Sequence, residues 1–306
     1  MKFFVTGGAG FIGRHVVASL LKSNNSVTIY DSFVKSTEEK IAPLLEKGAV
    51  LIKGDITDYE SLTNDLSNSY DVVIHLAAKT RVIDSINNPE ETHHVNVTGT
   101  IRLLKACVKH HVKKIIAASS CAVYGDSKIL PLSEELAAIP ISPYGASKLS
   151  LEHYLQAFAH SYDLNCISLR FSNVYGEGQS LDYAGVITKF VDNIRNEKPL
   201  VIFGDGEQSR DFVSVDDIVF GIKKAVENIE GKKGNYYNIA SGKNTSINDL
   251  AKMLLTISSK GLEIIHEYPR KGEVKHSYAS IELAKKELEY FPKVLLKDGL
   301  KHLMHL

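Results

Sequence analysis

Apolar residues in the first half of this chain come in short unbroken runs that alternate with longer stretches at helical spacing. The runs are Lys2–Thr6, Val27–Tyr30, Val50–Lys53, Val72–Leu76, Lys113–Ser119 and Cys166–Phe171. Runs of this length without polar alternation predict strands buried on both faces. Between them, Arg14 to Lys22, Pro89 to Lys109, and Tyr144 through Glu152 to about Ser161 carry the spacing of helices. Strands interleaved with helices predict an α/β fold built on a doubly wound parallel sheet.

Beyond the sixth run the alternation loosens. Gly185 to Glu197 is predicted helical, and Leu200–Phe203 is a short strand that ends in the turn Gly204-Asp205-Gly206. A helix over Asp216–Asn228, a strand over Tyr236–Ala240 and a helix over Thr245–Ser259, capped by Thr245 or Ser246, come next. The last predicted helix lies near Ile281–Leu288. The pattern divides the chain into a larger α/β domain over 1–175, rejoined by about 211–240, and a smaller C-terminal α/β lobe from 176–210 and 241–306.

The 306 residues suffice for one large domain with an appendage, and Lys+Arg and Asp+Glu balance at 36 each. A net pull toward nucleic acid or an anionic membrane is therefore not expected, although local basic groups can still hold a phosphate. No run approaches the roughly 20 apolar residues that span a bilayer. Met1–Val5 passes straight into a glycine turn, which leaves no room for a signal peptide. Cys107, Cys121 and Cys166 are odd in number and widely spaced, with neither a disulfide framework nor a Cys-x-x-Cys pattern. These features predict a cytoplasmic protein. The adjacent pairs His93-His94 and His110-His111 lack nearby cysteines or a distal partner cluster, so they read as surface residues and no metal is expected.

Candidate chemistry begins at Gly7-Gly8-Ala9-Gly10-Phe11-Ile12-Gly13, between the first strand and the first helix. Strand, glycine turn and helix are the context of a Rossmann dinucleotide fingerprint: Gly7, Gly10 and Gly13 allow a tight turn, close approach of a pyrophosphate and helix packing. A structural turn without a ligand has the same spacing. Asp31 ends the second strand about 20 residues on, where an acid accepts the adenosine ribose hydroxyls and repels a 2′-phosphate, favouring NAD over NADP. Asp55 and Ile56 follow the third strand, near an adenine in such a sheet, and Leu76, Ala77 and Ala78 end the fourth, where cofactors bind. Tyr144 and Lys148 are four apart, so a helix projects both from one face. An ammonium beside a phenol with an ordinary pKa near ~10 favours the phenolate and suits it to acid/base work. Tyr-x-x-x-Lys alone also fits two residues on a solvated helix face.

The glycine fingerprint, Asp31, Asn96, Ser119-Ser120 and Tyr144 with Lys148 occur together in the order and spacing of the extended short-chain dehydrogenases/reductases. The chain resembles that family over essentially its whole length, and within it is most similar to the UDP-galactose (UDP-glucose) 4-epimerases. The resemblance implies that NAD is held by Gly7, Gly10, Phe11, Ile12, Gly13, Asp31, Asp55, Ile56, Leu76, Ala77, Ala78, Asn96 and Lys148. It implies Ser120, Tyr144 and Lys148 as the catalytic triad, with Lys148 lowering the tyrosine pKa. Asn173, Arg210 and Arg270 would hold the diphosphate of a UDP-sugar, for which a guanidinium fork is chemically suited. Relatives that dehydrate nucleotide sugars place acids directly after the catalytic Ser/Thr, whereas Cys121 and Ala122 stand here. Alignment on Arg270-Lys271-Gly272-Glu273 puts Ser277 where a bulky tyrosine restricts some 4-epimerases to glucose and galactose. A small residue there leaves room for a 2-acetamido group. The family also implies a homodimer, formed through the helices around 91–109 and 144–161. A 4-ketosugar reductase, a uronate epimerase and a non-catalytic NAD-binding regulator are the competing readings.

Overall fold

The short apolar runs pair side by side. In the computed structural model, which describes residues 1–181, 185–269 and 274–305, they form strands β1 (Lys2–Thr6), β2 (Ser26–Asp31), β3 (Val50–Lys53), β4 (Val72–His75), β5 (Lys114–Ser120) and β6 (Asn165–Phe171). Further along are β7 (Asn173–Tyr175), β8 (Leu200–Phe203), β9 (Ser209–Arg210) and β10 (Phe212–Ser214), and then β11 (Lys233–Ile239), which returns to lie beside β6. The resulting parallel sheet of seven strands has the order β11-β6-β5-β4-β1-β2-β3. The order reverses between β1 and β4, so their C-terminal ends open onto a crevice with no crossover helix lying across it.

Both faces of the sheet are covered. The helices are α1 (Phe11–Lys22), α2 (Ala42–Glu46), α3 (Tyr59–Asp65), α4 (Val82–Asn87), α5 (Pro89–His93), α6 (Gly99–Lys109) and α7 (Pro143–Ser161), followed by α8 (Val186–Arg195), α9 (Val215–Glu227), α10 (Ile247–Ser258), α11 (Glu282–Leu288) and α12 (Leu296–His305). Successive residues of β1 point to opposite sides. Phe3 and Val5 join one core with α1, α2, α9 and α11, whereas Phe4 joins the other with α3, α6 and α7. Burial on both faces is why these strands are written as unbroken apolar runs.

A third core lies outside this sandwich, where Phe190, Leu250, Leu254 and Leu300 bring α8, α10 and α12 around β8. Here β8 pairs with β13 (Ile264–Glu267), and β9 lies between β12 (Thr245–Ser246) and β14 (His276–Ser277). The next strand along the chain, β10, pairs instead with β7. Among the described residues no helix is long and apolar enough to cross a membrane.

The expected single helix over Pro89–Lys109 is interrupted. A π turn over His94–Thr98 separates α5 from α6, and the side chain of Asn96 within it is buried and bonded to two other elements. The short helices α3 and α4, and the terminal α12, were not anticipated. Two turns or fewer carry too little periodicity to register in α3 and α4, and α12 contributes only Leu300 and Leu303 as buried residues.

α7 begins with a serine cap and a proline, the two residues that best start a helix. Ser142 is extended, its Oγ accepts the Gly145 N–H at 3.1 Å, and Pro143 follows it. This cap fixes the turn that carries Tyr144. Ser142→Ala should therefore cost about 1 kcal/mol, read as a lower urea midpoint with an unchanged m-value.

Candidate active site

The cofactor side is built at the end of β1. A Cβ at Gly13 would run into the carbonyl oxygen of Gly7 and the backbone of Gly8, so a glycine here lets the helix pack on the turn. A Cβ at Gly10 would meet only the Gly7 carbonyl oxygen, at 3.1 Å, and otherwise open space. α1 starts there without a side-chain cap or an acid in its first turn. The first-turn N–H groups, from Phe11, Ile12 and Gly13, thus face a cradle open at Gly10, a fit for the pyrophosphate of a dinucleotide. Asp31 lies beside it, partly buried, its Oδ2 accepting the Ala9 N–H at 3.0 Å and its Oδ1 the Phe33 N–H at 2.9 Å. Each oxygen retains a second lone pair for a ribose hydroxyl. Burial raises the Asp31 pKa, and the two backbone donors oppose that shift.

The other expected cofactor residues divide into reachable and enclosed. Leu76, Ala77 and Ala78 are partly buried and lie against the glycine turn, with Leu76 N–H bonded to Thr6 O at 3.0 Å. Asp55 is exposed and its carboxylate caps its own turn through the N–H and Oγ of Thr57. Ile56 is buried against the α-carbon side of Gly99, so its side chain belongs to the core and only its backbone is placed to meet a ligand. Asn96 is enclosed too. Its Oδ1 accepts the Lys79 N–H, while its Nδ2 donates to Lys79 O and to Ser147 Oγ, at 2.7–2.9 Å. The structure places it as a clamp between the loop after β4 and α7.

A hydrogen-bond chain runs through this floor, and its direction can be worked out. Thr100 donates its hydroxyl proton to Asn96 O at 2.6 Å, so it must accept from His75 Nε2 at 3.0 Å. His75 Nδ1 then carries no proton and accepts from Thr6 Oγ1 at 2.7 Å. Thr6 Oγ1 in turn receives the Ala77 N–H at 3.4 Å. Burial, with the Lys148 charge nearby, lowers the His75 pKa to about 3, so the imidazole stays neutral and the tautomer is fixed.

Ser120 ends β5 and caps the turn that follows by accepting the Ala122 N–H at 3.1 Å. α7 approaches that turn closely, because a Cβ at Gly145 would lie 2.7 Å from Ala122 O. The approach brings the Tyr144 side chain close enough to Ser120 for the serine to favour the phenolate. Lys148, one turn on and buried, donates to Ala118 O at 2.7 Å. Ser120, Tyr144 and Lys148 are thus brought together at the C-terminal end of β5.

The expected electrostatics differ in one respect. Burial raises the Tyr144 pKa, and the neighbouring Ser120 opposes the rise. The physical reason is that a buried phenolate loses its hydration, while Lys148 is itself pushed down from 10.5 to about 8 by the same burial, with Glu152 opposing.

Behind these residues is a buried polar network that the sequence reading missed. Glu152 lies one turn beyond Lys148 on α7, and its carboxylate takes both Nε and Nη2 of Arg170 at 2.9 and 2.7 Å, a bidentate pair. It also accepts the Ser119 hydroxyl at 2.5 Å. Arg170 donates its remaining Nη1 to Tyr124 Oη, which donates to Asn238 Oδ1, each at 2.8 Å. The guanidinium lies between the rings of Tyr124 and Tyr236, 4.8 and 3.9 Å from their centroids. The available signals were a charged arginine inside the buried strand β6 and a glutamate in helical register with Tyr144 and Lys148.

On the substrate side, Asn173 opens β7 and is exposed, with its N–H and Nδ2 both donating to Asp211 O. Arg210 lies in β9, where its Nη1 donates to Ser209 O at 2.8 Å and Lys275 O at 3.2 Å. Ser277 is the register partner of Arg210 across the β9–β14 pair. Arg270 lies outside the described residues.

Comparison with known proteins gives the family of the chain as a whole. A family model, the NAD dependent epimerase/dehydratase family, matches residues 3–240. The UDP-glucose 4-epimerase of Thermotoga maritima, solved with UDP-glucose, superposes with a TM-score of 0.94 at 36% identity, over 100% of this chain and 98% of that one. A UDP-N-acetylglucosamine 4-epimerase from Methanobrevibacter ruminantium, in complex with UDP-N-acetylmuramic acid, gives 0.94 at 34% identity over 99% and 97%. A UDP-glucuronate 4-epimerase of Thermodesulfobacterium geofontis is 33% identical over 98% of this chain and 94% of its own.

The lowered Lys148 pKa has a thermodynamic sign. Between about pH 8 and the ordinary lysine value the folded chain binds fewer protons than the unfolded one, so stability rises with pH across that window. Below it, the buried ammonium costs roughly 3 kcal/mol. Lys148→Met should therefore abolish turnover yet melt at or above the wild-type temperature at pH 7, with the wild type gaining on it from pH 8 to 10. Thermal melts of both proteins across that range check this.

Proposed function

The chain belongs to the NAD-dependent epimerase/dehydratase family, and on that premise we propose that it interconverts UDP-hexoses at carbon 4. It is a nucleotide-sugar 4-epimerase of that family, with NAD as its cofactor. The observation that carries the finer reading is the grouping of Ser120, Tyr144 and Lys148 at the end of β5, followed at once by Cys121 and Ala122. Cys121 is buried, with its thiol pKa raised, and Ala122 is inert, so neither supplies the acid that an elimination needs. Reversible oxidation and reduction at one carbon remain.

Held by the glycine turn and Asp31, NAD would supply reversible hydride acceptance at carbon 4. Tyr144 takes the proton from the sugar 4-hydroxyl and gives it back, and Ser120 holds that oxygen by hydrogen bonding as its charge changes. The raised Tyr144 pKa keeps the phenol protonated at neutral pH, so the forward step calls for added positive charge, which the ammonium of Lys148 supplies. Asn173, Arg210 and Arg270 anchor the diphosphate while the 4-keto sugar presents its opposite face. Glycine-turn N–H groups and Asp31 hold the dinucleotide throughout.

Ser277 bears on the sugar. It is small and partly buried, and it lies beside Arg210 across a strand pair, which supports acceptance of a 2-acetamido group. UDP-GlcNAc and UDP-GalNAc therefore join UDP-Glc and UDP-Gal as substrates in this reading.

Incubation with each of the four UDP-sugars and no added cofactor should give the 4-epimer in both pairs. Inactivity on the acetamido pair alone would refute the role given to Ser277, and turnover of UDP-glucuronate in preference to all four would move the assignment to a uronate epimerase. Tyr144→Phe should retain NAD and UDP but lose about a hundredfold or more in kcat; near-wild-type turnover would remove the tyrosine from the reaction.

A further inference from the structure

Asp211 is the residue on which the substrate side converges. It is fully buried and stands between β9, which belongs to the small sheet with β12 and β14, and β10, which pairs with β7. The chain therefore crosses at this one residue from the strands carrying Arg210 and Ser277 to the strand pair carrying Asn173. Four donors surround the carboxylate. Oδ1 accepts the Ser241 N–H at 2.8 Å and the Ser241 hydroxyl at 2.7 Å, and Oδ2 accepts the N–H groups of Gly242 and Ala279 at 3.0 and 3.4 Å.

The backbone of the same residue is equally committed. Its N–H donates to Ser277 O at 2.9 Å. Its carbonyl accepts the Asn173 N–H at 3.0 Å, the Asn173 Nδ2 at 3.3 Å and the Ser172 hydroxyl at 2.9 Å. A carboxylate ringed by donors inside the protein is rigidly oriented, because every rotation of its plane breaks a charge-assisted bond.

We propose that Asp211 is the positioning residue of the nucleotide-sugar pocket, holding Asn173, Arg210 and Ser277 in one frame so that the diphosphate and the sugar are presented at a set distance from Tyr144. The proposal rests on the UDP-sugar reading given above. It assigns Asp211 no contact with the substrate. The carboxylate acts through Ser241, Gly242 and Ala279, which fix the crossing, and the backbone bonds directly to Asn173 and Ser277 beside its chain neighbour Arg210. Because none of these bonds reaches the glycine turn or Ser120, a fault here loosens UDP-sugar binding and leaves the cofactor in place.

Asp211→Asn turns an amide donor toward the N–H groups it replaces an acceptor for, and Ser241→Ala removes one hydroxyl donor and keeps the rest. Isothermal titration with UDP, together with KM and kcat on UDP-glucose and the NAD released on denaturation, reads the effect. A bond to a charged group is worth enough that Ser241→Ala should weaken UDP binding about tenfold. KM should rise by a similar factor, kcat should change less than KM, and bound NAD should stay at the wild-type level; Asp211→Asn should show the same split, larger. If Asp211→Asn fails to fold, Ser241→Ala decides. Unchanged UDP affinity in a folded variant, or equal losses of kcat and bound NAD, would overturn the positioning role. A wild-type protein that binds NAD but no UDP would overturn the UDP-sugar reading instead, and the two failures are thereby told apart.

Discussion

The ion pair between Glu152 and Arg170 sits where β5, α7 and the edge of the sheet meet. It joins α7 to β6, reaches β5 through Ser119, and extends through Tyr124 and Asn238 to β11. Two charges in such a place are tolerable only because the bonding is complete: both carboxylate oxygens are bidentate to the guanidinium, and aromatic faces cover its plane. Losing either partner would leave a buried charge uncompensated, typically a cost of about 3–5 kcal/mol. The separation between Ser120 on β5 and Tyr144 on α7 is thus set from behind, by residues that never meet a substrate. Asn96 does the corresponding task from the other side, tying the loop after β4 to Ser147 of the same helix.

Much of the sheet was legible because burial on both faces leaves a direct trace, a run of apolar residues of strand length. The glycine turn, Asp31 and the Tyr144–Lys148 pair were legible for a different reason: their spacing is dictated by a ligand or by a helix face. What escaped notice has its cause in distance along the chain. Arg170 interrupts an apolar run, and nothing nearby in sequence reveals that Glu152 neutralises it. Asp211 reads as one more acid beside an arginine, since its four donors come from residues 30 and more positions away. The raised Tyr144 pKa escaped as well, because a spacing of four reports which groups share a face and says nothing about the water they lose.

The two halves of the pocket are held by opposite means. On the cofactor side the backbone does the work through N–H groups at a helix start and a directed chain of neutral groups from Ala77 to Asn96. On the substrate side a single buried charge gathers elements from distant parts of the sequence.

The π turn at His94–Thr98 carries a consequence for how this chain can vary. Such a turn lodges one residue more than an α-helical path of the same length, so it rotates everything after it by about 100°. The face of α6 that buries Leu103, Leu104 and Cys107 is aimed at β4 and α3 only with that extra residue in place. Deleting any one residue between Glu91 and Thr98 would leave a good helix pointing its apolar side elsewhere, and would withdraw Asn96 from Lys79 and Ser147 in the same stroke. Within this stretch, therefore, chain length is under tighter constraint than side-chain identity: descendants of the sequence can exchange residues here far more readily than they can gain or lose one.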